Sequence, residues 1–242
     1  GYWAVGPKGY VLYWNASSYD LSSLSTYVID TADYSLSTDK VYAVHGSSSS
    51  NVWAAGSKGA TFRWDGSAWT RHNLSHTNVR VIGLLVISVT EAYASARDWT
   101  TDDYVRLYKW NGSVWSLVYT HNQTQYYPQN FIKDGANLCV SFTHATNSKV
   151  LCSVDGNSWS VHITTVAGKS TEKIWGSKNN LFALGVNGKI INYRDGQQID
   201  IHRETSNDND DDGSLKLVDV WKDPASDFTV IIGTASKVLV HR

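Results

Sequence analysis

The chain has 242 residues, 42% hydrophobic and 12% aromatic, and sets 21 Lys and Arg against 22 Asp and Glu for a formal net charge of −1. So even a balance offers no electrostatic basis for binding nucleic acid or an anionic membrane surface. Apolar stretches such as Ile82 to Val89 have the length of a strand, here read as an innermost one, so no membrane insertion is expected.

In chain order, short runs of β-branched and aromatic residues alternate with Gly, Asn, Asp and Ser, the signature of strands joined by hairpins. The first unit reads Tyr2-Trp3-Ala4-Val5-Gly6-Pro7-Lys8-Gly9, then Val11-Leu12-Tyr13-Trp14-Asn15. About fifty residues on it recurs as Val52-Trp53-Ala54-Ala55-Gly56-Ser57-Lys58-Gly59, then Thr61-Phe62-Arg63-Trp64-Asp65-Gly66-Ser67-Ala68-Trp69. Its second half returns at Trp110-Asn111-Gly112-Ser113-Val114-Trp115, Val154-Asp155-Gly156-Asn157-Ser158-Trp159, Tyr193-Arg194-Asp195-Gly196 and Lys237 to His241. The units span roughly 1–37, 38–78, 79–125, 126–168, 169–205 and 214–242.

Four strands fit each unit, placed in the second at Lys40 to His45, Val52 to Gly56, Ala60 to Trp64 and Ser67 to Asn73. Four antiparallel strands every forty to fifty residues or so is the blade of a β-propeller. A jelly roll or an immunoglobulin-like sandwich lacks such self-similarity. The expected fold is therefore all-β, a single propeller domain of about six blades over residues 1–242. The Asp-Gly and Asn-Gly pairs after Trp64, Trp110 and Val154 are read as tight hairpin turns. In this register the first unit begins at its second strand and the sixth stops at its third, whereas six whole blades would need roughly 275 residues. A trimmed chain, or a ring closed in another way, is expected, consistent with zero methionines. Unclosed edges would invite pairing with another chain.

Cys139 and Cys152 fall opposite each other across a hairpin centred between Ala145 and Thr146, which makes a cross-strand disulfide geometrically reasonable. The alternative is two buried free thiols. Four glycosylation sequons, at Asn15, Asn73, Asn111 and Asn122, point with the disulfide to an extracellular or secretory setting.

Trp14, Trp64 and Trp110 end third strands, while Trp69, Trp115 and Trp159 open fourth strands. An aromatic face beside a polar turn suits sugar recognition. The competing reading makes them wedges between blades, since no single repeat can bury its own face. Trp99, Trp175 and Trp221 lie off the pattern.

The stretch Ser153-Val154-Asp155-Gly156-Asn157-Ser158-Trp159 resembles the Asp box of sialidase-type propellers, which sits on the turn between third and fourth strands. It departs by one residue, because the usual motif has a residue between Asp and Gly. The wider unit is similar to the repeat of extracellular propellers, some of them lectins, and covers nearly the whole chain. In such propellers the Asp box is a structural turn, so the resemblance implies no catalytic role for Asp65, Asp155 or Asp195. A glycosidase would need paired carboxylates or an activated tyrosine, and a sialidase an arginine cluster as well. Glu91, Glu172 and Glu204 are scattered over unrelated units, and Arg63 and Arg106 lie on third strands.

Asp208, Asp210 and Asp212 before Gly213 match the front half of a calcium loop, with Asp219 at the position of its last ligand. The stretch also resembles the calcium loops of integrin-type propellers, although Leu217 replaces their last acidic residue. Calcium is thus the one cofactor suggested, against a solvated acidic loop. His72 and His76 lack a third ligand partner for a metal. The reading that results is a non-enzymatic binding module, extracellular or at the cell surface and lectin-like, with glycans or cell-surface proteins as partners. The alternative is a structural or adhesive subunit that self-associates through incomplete terminal blades. A glycoside hydrolase of sialidase-like fold ranks third.

Overall fold

The computed structural model describes residues 2–7, 9–14, 24–28, 40–99, 103–165, 171–185, 189–203, 217–222, 229–233 and 238–241. It divides into two compact units, Gly1–Thr124 and Gln125–Arg242. Among the described residues there are six antiparallel sheets, four of them four-stranded and two three-stranded. Every sheet follows chain order, as hairpin-linked strands of a propeller blade do.

The N-terminal unit opens with β1 (Tyr2–Val5), β2 (Tyr10–Trp14) and β3 (Leu24–Val28). Its second sheet holds β4 (Val41–Ser48), β5 (Asn51–Gly56), β6 (Ala60–Trp64) and β7 (Trp69–Asn73). Its third holds β8 (Val79–Val86), β9 (Ala92–Asp98), β10 (Val105–Trp110) and β11 (Trp115–His121). The innermost strand expected over Ile82 to Val89 begins at Val79 instead and ends at Val86. Ile87 and Ser88 donate their N–H groups to the Glu91 carbonyl and so form the turn.

Side chains alternate across each strand, so a buried strand serves two neighbours at once. On β5, Trp53 and Ala55 pack with Val81, Ala94 and Trp110 of the third sheet. Ala54 joins Val11, Val41 and Phe62 instead, with Trp3 and Trp69 beside them. The second and third sheets are also tied by His45, whose Nδ1 accepts the Val86 N–H at 3.1 Å. Gly59 has a φ of 64°, and a Cβ there would lie 2.2 Å from the His76 carbonyl oxygen. Only glycine lets the β5–β6 connection close onto the segment that leads into β8.

The C-terminal unit repeats the arrangement with β12 (Tyr127–Asp134), β13 (Asn137–Thr143), β14 (Lys149–Ser153) and β15 (Ser160–Thr164). Next come β16 (Thr171–Gly176), β17 (Asn180–Gly185), β18 (Lys189–Arg194) and β19 (Gln197–Arg203), then β20 (Leu217–Lys222), β21 (Thr229–Gly233) and β22 (Val238–His241). Its core joins Cys139, Val150, Cys152 and Ile163 to Ile174, Leu181, Ile191 and Tyr193. Asn130 clamps β12 to β16, accepting the Ile174 N–H at 2.9 Å and donating to its carbonyl at 2.8 Å. That leaves neither backbone group unsatisfied where the strands diverge.

Candidate functional site

The two ends of each sheet differ in character. At one end of the second and third sheets the turns between third and fourth strands are near copies. Asp65 Oδ1 accepts the Ser67 and Ala68 N–H groups at 2.8 and 2.9 Å, and Asn111 Oδ1 accepts those of Ser113 and Val114, both at 3.0 Å. These are side-chain-closed turns of four residues, longer than the two-residue hairpins read from sequence, with Gly66 and Gly112 at φ 104° and 101°. The donors pull the Asp65 carboxyl down to about 2. Asp155 is held low in the same way by the Ser158 and Asn157 N–H groups and by Ser153 and Ser158 hydroxyls. Asp195-Gly196 instead forms a two-residue turn, both at positive φ and flanked by the pair Arg194 and Gln197.

The tryptophans singled out by the repeat divide. Trp110 and Trp115 are 1% and 6% exposed, which removes their rings from contact with any ligand in solvent. They hold Trp53 between them at centroid distances of 4.9 and 5.1 Å. Their indole N–H groups are satisfied internally, by the Val89 carbonyl and Thr61 Oγ1. Trp64 and Trp69 surround Trp3 in the same way, at 5.8 and 5.4 Å, but stay partly exposed. Trp159 is partly exposed and donates to the Gly156 carbonyl at 3.3 Å. The side chain of Trp14 lies outside the described residues.

Cys139 and Cys152 are cross-strand partners and are joined by a disulfide. Asn73, Asn111 and Asn122 are exposed, and Asn15 lies outside the described residues. So do Asp208, Asp210 and Asp212, and of Asp219 only the backbone, in β20, is described.

The other end of the third sheet carries a cluster that repeat-based reading missed. Arg80 on β8 and Arg97 on β9 are direct cross-strand partners, so two guanidiniums project from the same face. Trp99, just beyond β9 and 46% exposed, lies under both, 3.9 Å from Arg80 and 4.8 Å from Arg97. Arg97 is buried and forked onto Asp103, with Nε and Nη2 each 2.6 Å from a carboxylate oxygen. The Asp98 N–H donates to the Tyr104 carbonyl and the Trp99 N–H to that of Asn78. The exposed indole therefore stands on a backbone tied at both sides. The signal in the sequence is that Trp99 falls off the repeat, where the first, second and fifth units place a Gly-x-x-Gly connection.

Beneath this cluster Arg106 and Asp98 form a buried ion pair at 2.7 Å. Tyr108 Oη and His76 Nδ1 lie 2.9 Å apart. Burial, followed by the Arg106 charge, lowers the His76 pKa, and burial raises that of Tyr108. Glu91 accepts from Tyr93 Oη at 2.7 Å. Asp98, Asp103 and Glu91 are thus each engaged in fixed structure.

No protein-family model matches the chain, and no curated protein does. Solved structures do resemble it. The β-propeller domain of Myceliophteria thermophila Cps50 (Swd1) superposes with a TM-score of 0.69 at 8% identity, over 98% of this chain and 77% of that one. YCF48 bound to D1 peptide gives a TM-score of 0.58 at 13% identity over 85% of this chain, and the WD40 β-propeller domain of Doa1 0.59 at 12% over 84%. The chain spans 65% of the length of each of these last two. The fold is an all-β propeller.

Proposed function

We propose that this chain is a non-enzymatic polypeptide-binding module that receives its partner on the β9–β10 end of the third sheet. The observation that carries this reading is Trp99, an indole 46% exposed on a backbone held by hydrogen bonds from both sides. A rigid aromatic of this kind buries a large area at little entropic cost and is a common anchor of protein interfaces. A neighbour in fold, YCF48, was solved bound to a D1 peptide, which supports a polypeptide as the ligand class. The engagement of Asp98, Asp103 and Glu91 in structural contacts supports a binding role over a catalytic one. Selection of a phage-displayed random peptide library on the immobilised chain tests the reading. Recovered peptides should lose about tenfold or more in affinity for Trp99→Ala, and recovery of no binder would overturn it.

A carbohydrate ligand is the second reading, supported by the partly exposed rings of Trp3, Trp64 and Trp69, whose centroids lie within 5.8 Å of one another. A glycan array decides it, since no binding to any sugar removes it. The Cys139–Cys152 disulfide supports an oxidising, extracellular setting for either ligand. Rapid thiol alkylation of the chain in its native compartment would contradict that setting. A role as an adhesive subunit requires self-association, which light scattering across a concentration series detects.

A further inference from the structure

Resting on the polypeptide reading, we infer that Arg80 and Trp99 together read an acidic side chain of the bound peptide, a carboxylate next to an apolar residue. Like charges directly opposite on neighbouring strands are destabilising, and Arg80 and Arg97 are such a pair. Asp103 neutralises Arg97 with a two-pronged pair and leaves that guanidinium saturated on its fork side. Arg80 forms no ion pair with any described residue and lies over the face of Trp99, 3.9 Å from the ring centre. Of the three charges that the described residues Arg80, Arg97 and Asp103 gather at this end of the sheet, the one without an opposite charge among them is that of Arg80.

A guanidinium seated over an indole face keeps its N–H groups for another partner, and among the described residues Arg80 spends none on a carboxylate; a planar fork is the geometry that takes a carboxylate in two parallel bonds. The indole beneath supplies apolar contact for the neighbouring residue of the peptide. Both side chains stand on tied backbones, Trp99 through its backbone N–H to the Asn78 carbonyl and Arg80 by its place inside β8, and each packs on the other. Little ordering cost then attends the contact.

Parallel library selections on the full chain and on its Arg80→Ala variant test the inference, with synthetic copies of recovered peptides titrated by fluorescence polarisation. Peptides selected on the wild type should carry Asp or Glu beside an apolar residue. Their affinity should fall about tenfold or more in Arg80→Ala, less in Arg80→Lys, and should weaken as salt is raised. Changing the acidic residue of the peptide to its amide reads the same contact on the unaltered chain, and should produce a similar loss that is not additive with Arg80→Ala. Recovered peptides without acidic residues, bound equally by wild type and Arg80→Ala, overturn the carboxylate reader and leave polypeptide binding intact. Recovery of no peptide overturns both.

Discussion

The N-terminal and C-terminal units fill the same place in the repeat by different chemistry. In the first, Trp53 sits opposite Arg63, one residue before the end of β6, and drives its ring between Trp110 and Trp115 of the next sheet. In the second, Cys139 sits opposite Cys152, one residue before the end of β14, and the disulfide packs with Ile174, Leu181, Ile191 and Tyr193 of the next sheet. One indole buries a large area and coheres with two further rings. Two small sulfur side chains cannot do that, and the covalent link instead restricts the unfolded chain. In both units the position packs one sheet against the next, and the repeat does not dictate by which side chain.

Breaking each solution in turn sharpens the contrast, with hydrogen exchange read strand by strand to tell the units apart. Trp53→Ala should have the largest effect, a loss of about 3–5 kcal/mol that first raises exchange in β5 and β10. Its side chain is fully buried, so an unchanged melting temperature would remove the wedge argument. Replacing Cys139 and Cys152 together by Ala should cost about 2–4 kcal/mol, appearing first in β13 and β14. Reductant should reproduce this loss in the C-terminal unit and leave the N-terminal one unchanged.

Removing either of the side-chain ties between inner strands should cost less, about 1–3 kcal/mol where it strands a buried backbone group. Asn130→Ala tests this between β12 and β16. For His45 the tie depends on pH. Burial lowers its pKa, so as pH falls below about 6.5 the unfolded chain takes up the proton first and stability drops. Exchange in β4 and β8 should therefore quicken as pH falls below about 6.5, and His45→Gln should flatten that dependence. The smallest change is expected from Asp65→Asn, because an asparagine, Asn111, closes the equivalent turn of the third sheet. With a folded pKa of about 2, the Asp65 contribution is complete above about pH 4 and fades only toward pH 2, a dependence the substitution should abolish.

Much of this architecture was legible in the residues themselves. Strand alternation, the propeller repeat and the pairing of Cys139 with Cys152 all follow from local periodicity and hairpin register. The turns were legible as turns, but their length was not. Whether Asp65 reaches the N–H groups two and three residues ahead depends on a closed four-residue loop, which its spacing does not specify. The repeated tryptophans were equally open to burial or display, because the same spacing serves both. Spacing does not decide which of them are buried, since Trp110 and Trp115 are buried around Trp53 while Trp64 and Trp69 flank Trp3 in the same way and stay partly exposed.

The cluster at Trp99 lay furthest from view. Arg80 meets Arg97 through strand pairing, with a register shift between Val81 and Gly83 close by, and Trp99 meets both only once its connection is tied to Asn78. What the sequence determined by itself was the repeating part of this protein, because alternation, turn chemistry and period act over a few bonds. What only the tertiary structure decided was the part that departs from the repeat. Which rings face solvent and which charges meet are set by contacts between strands that sequence spacing does not encode.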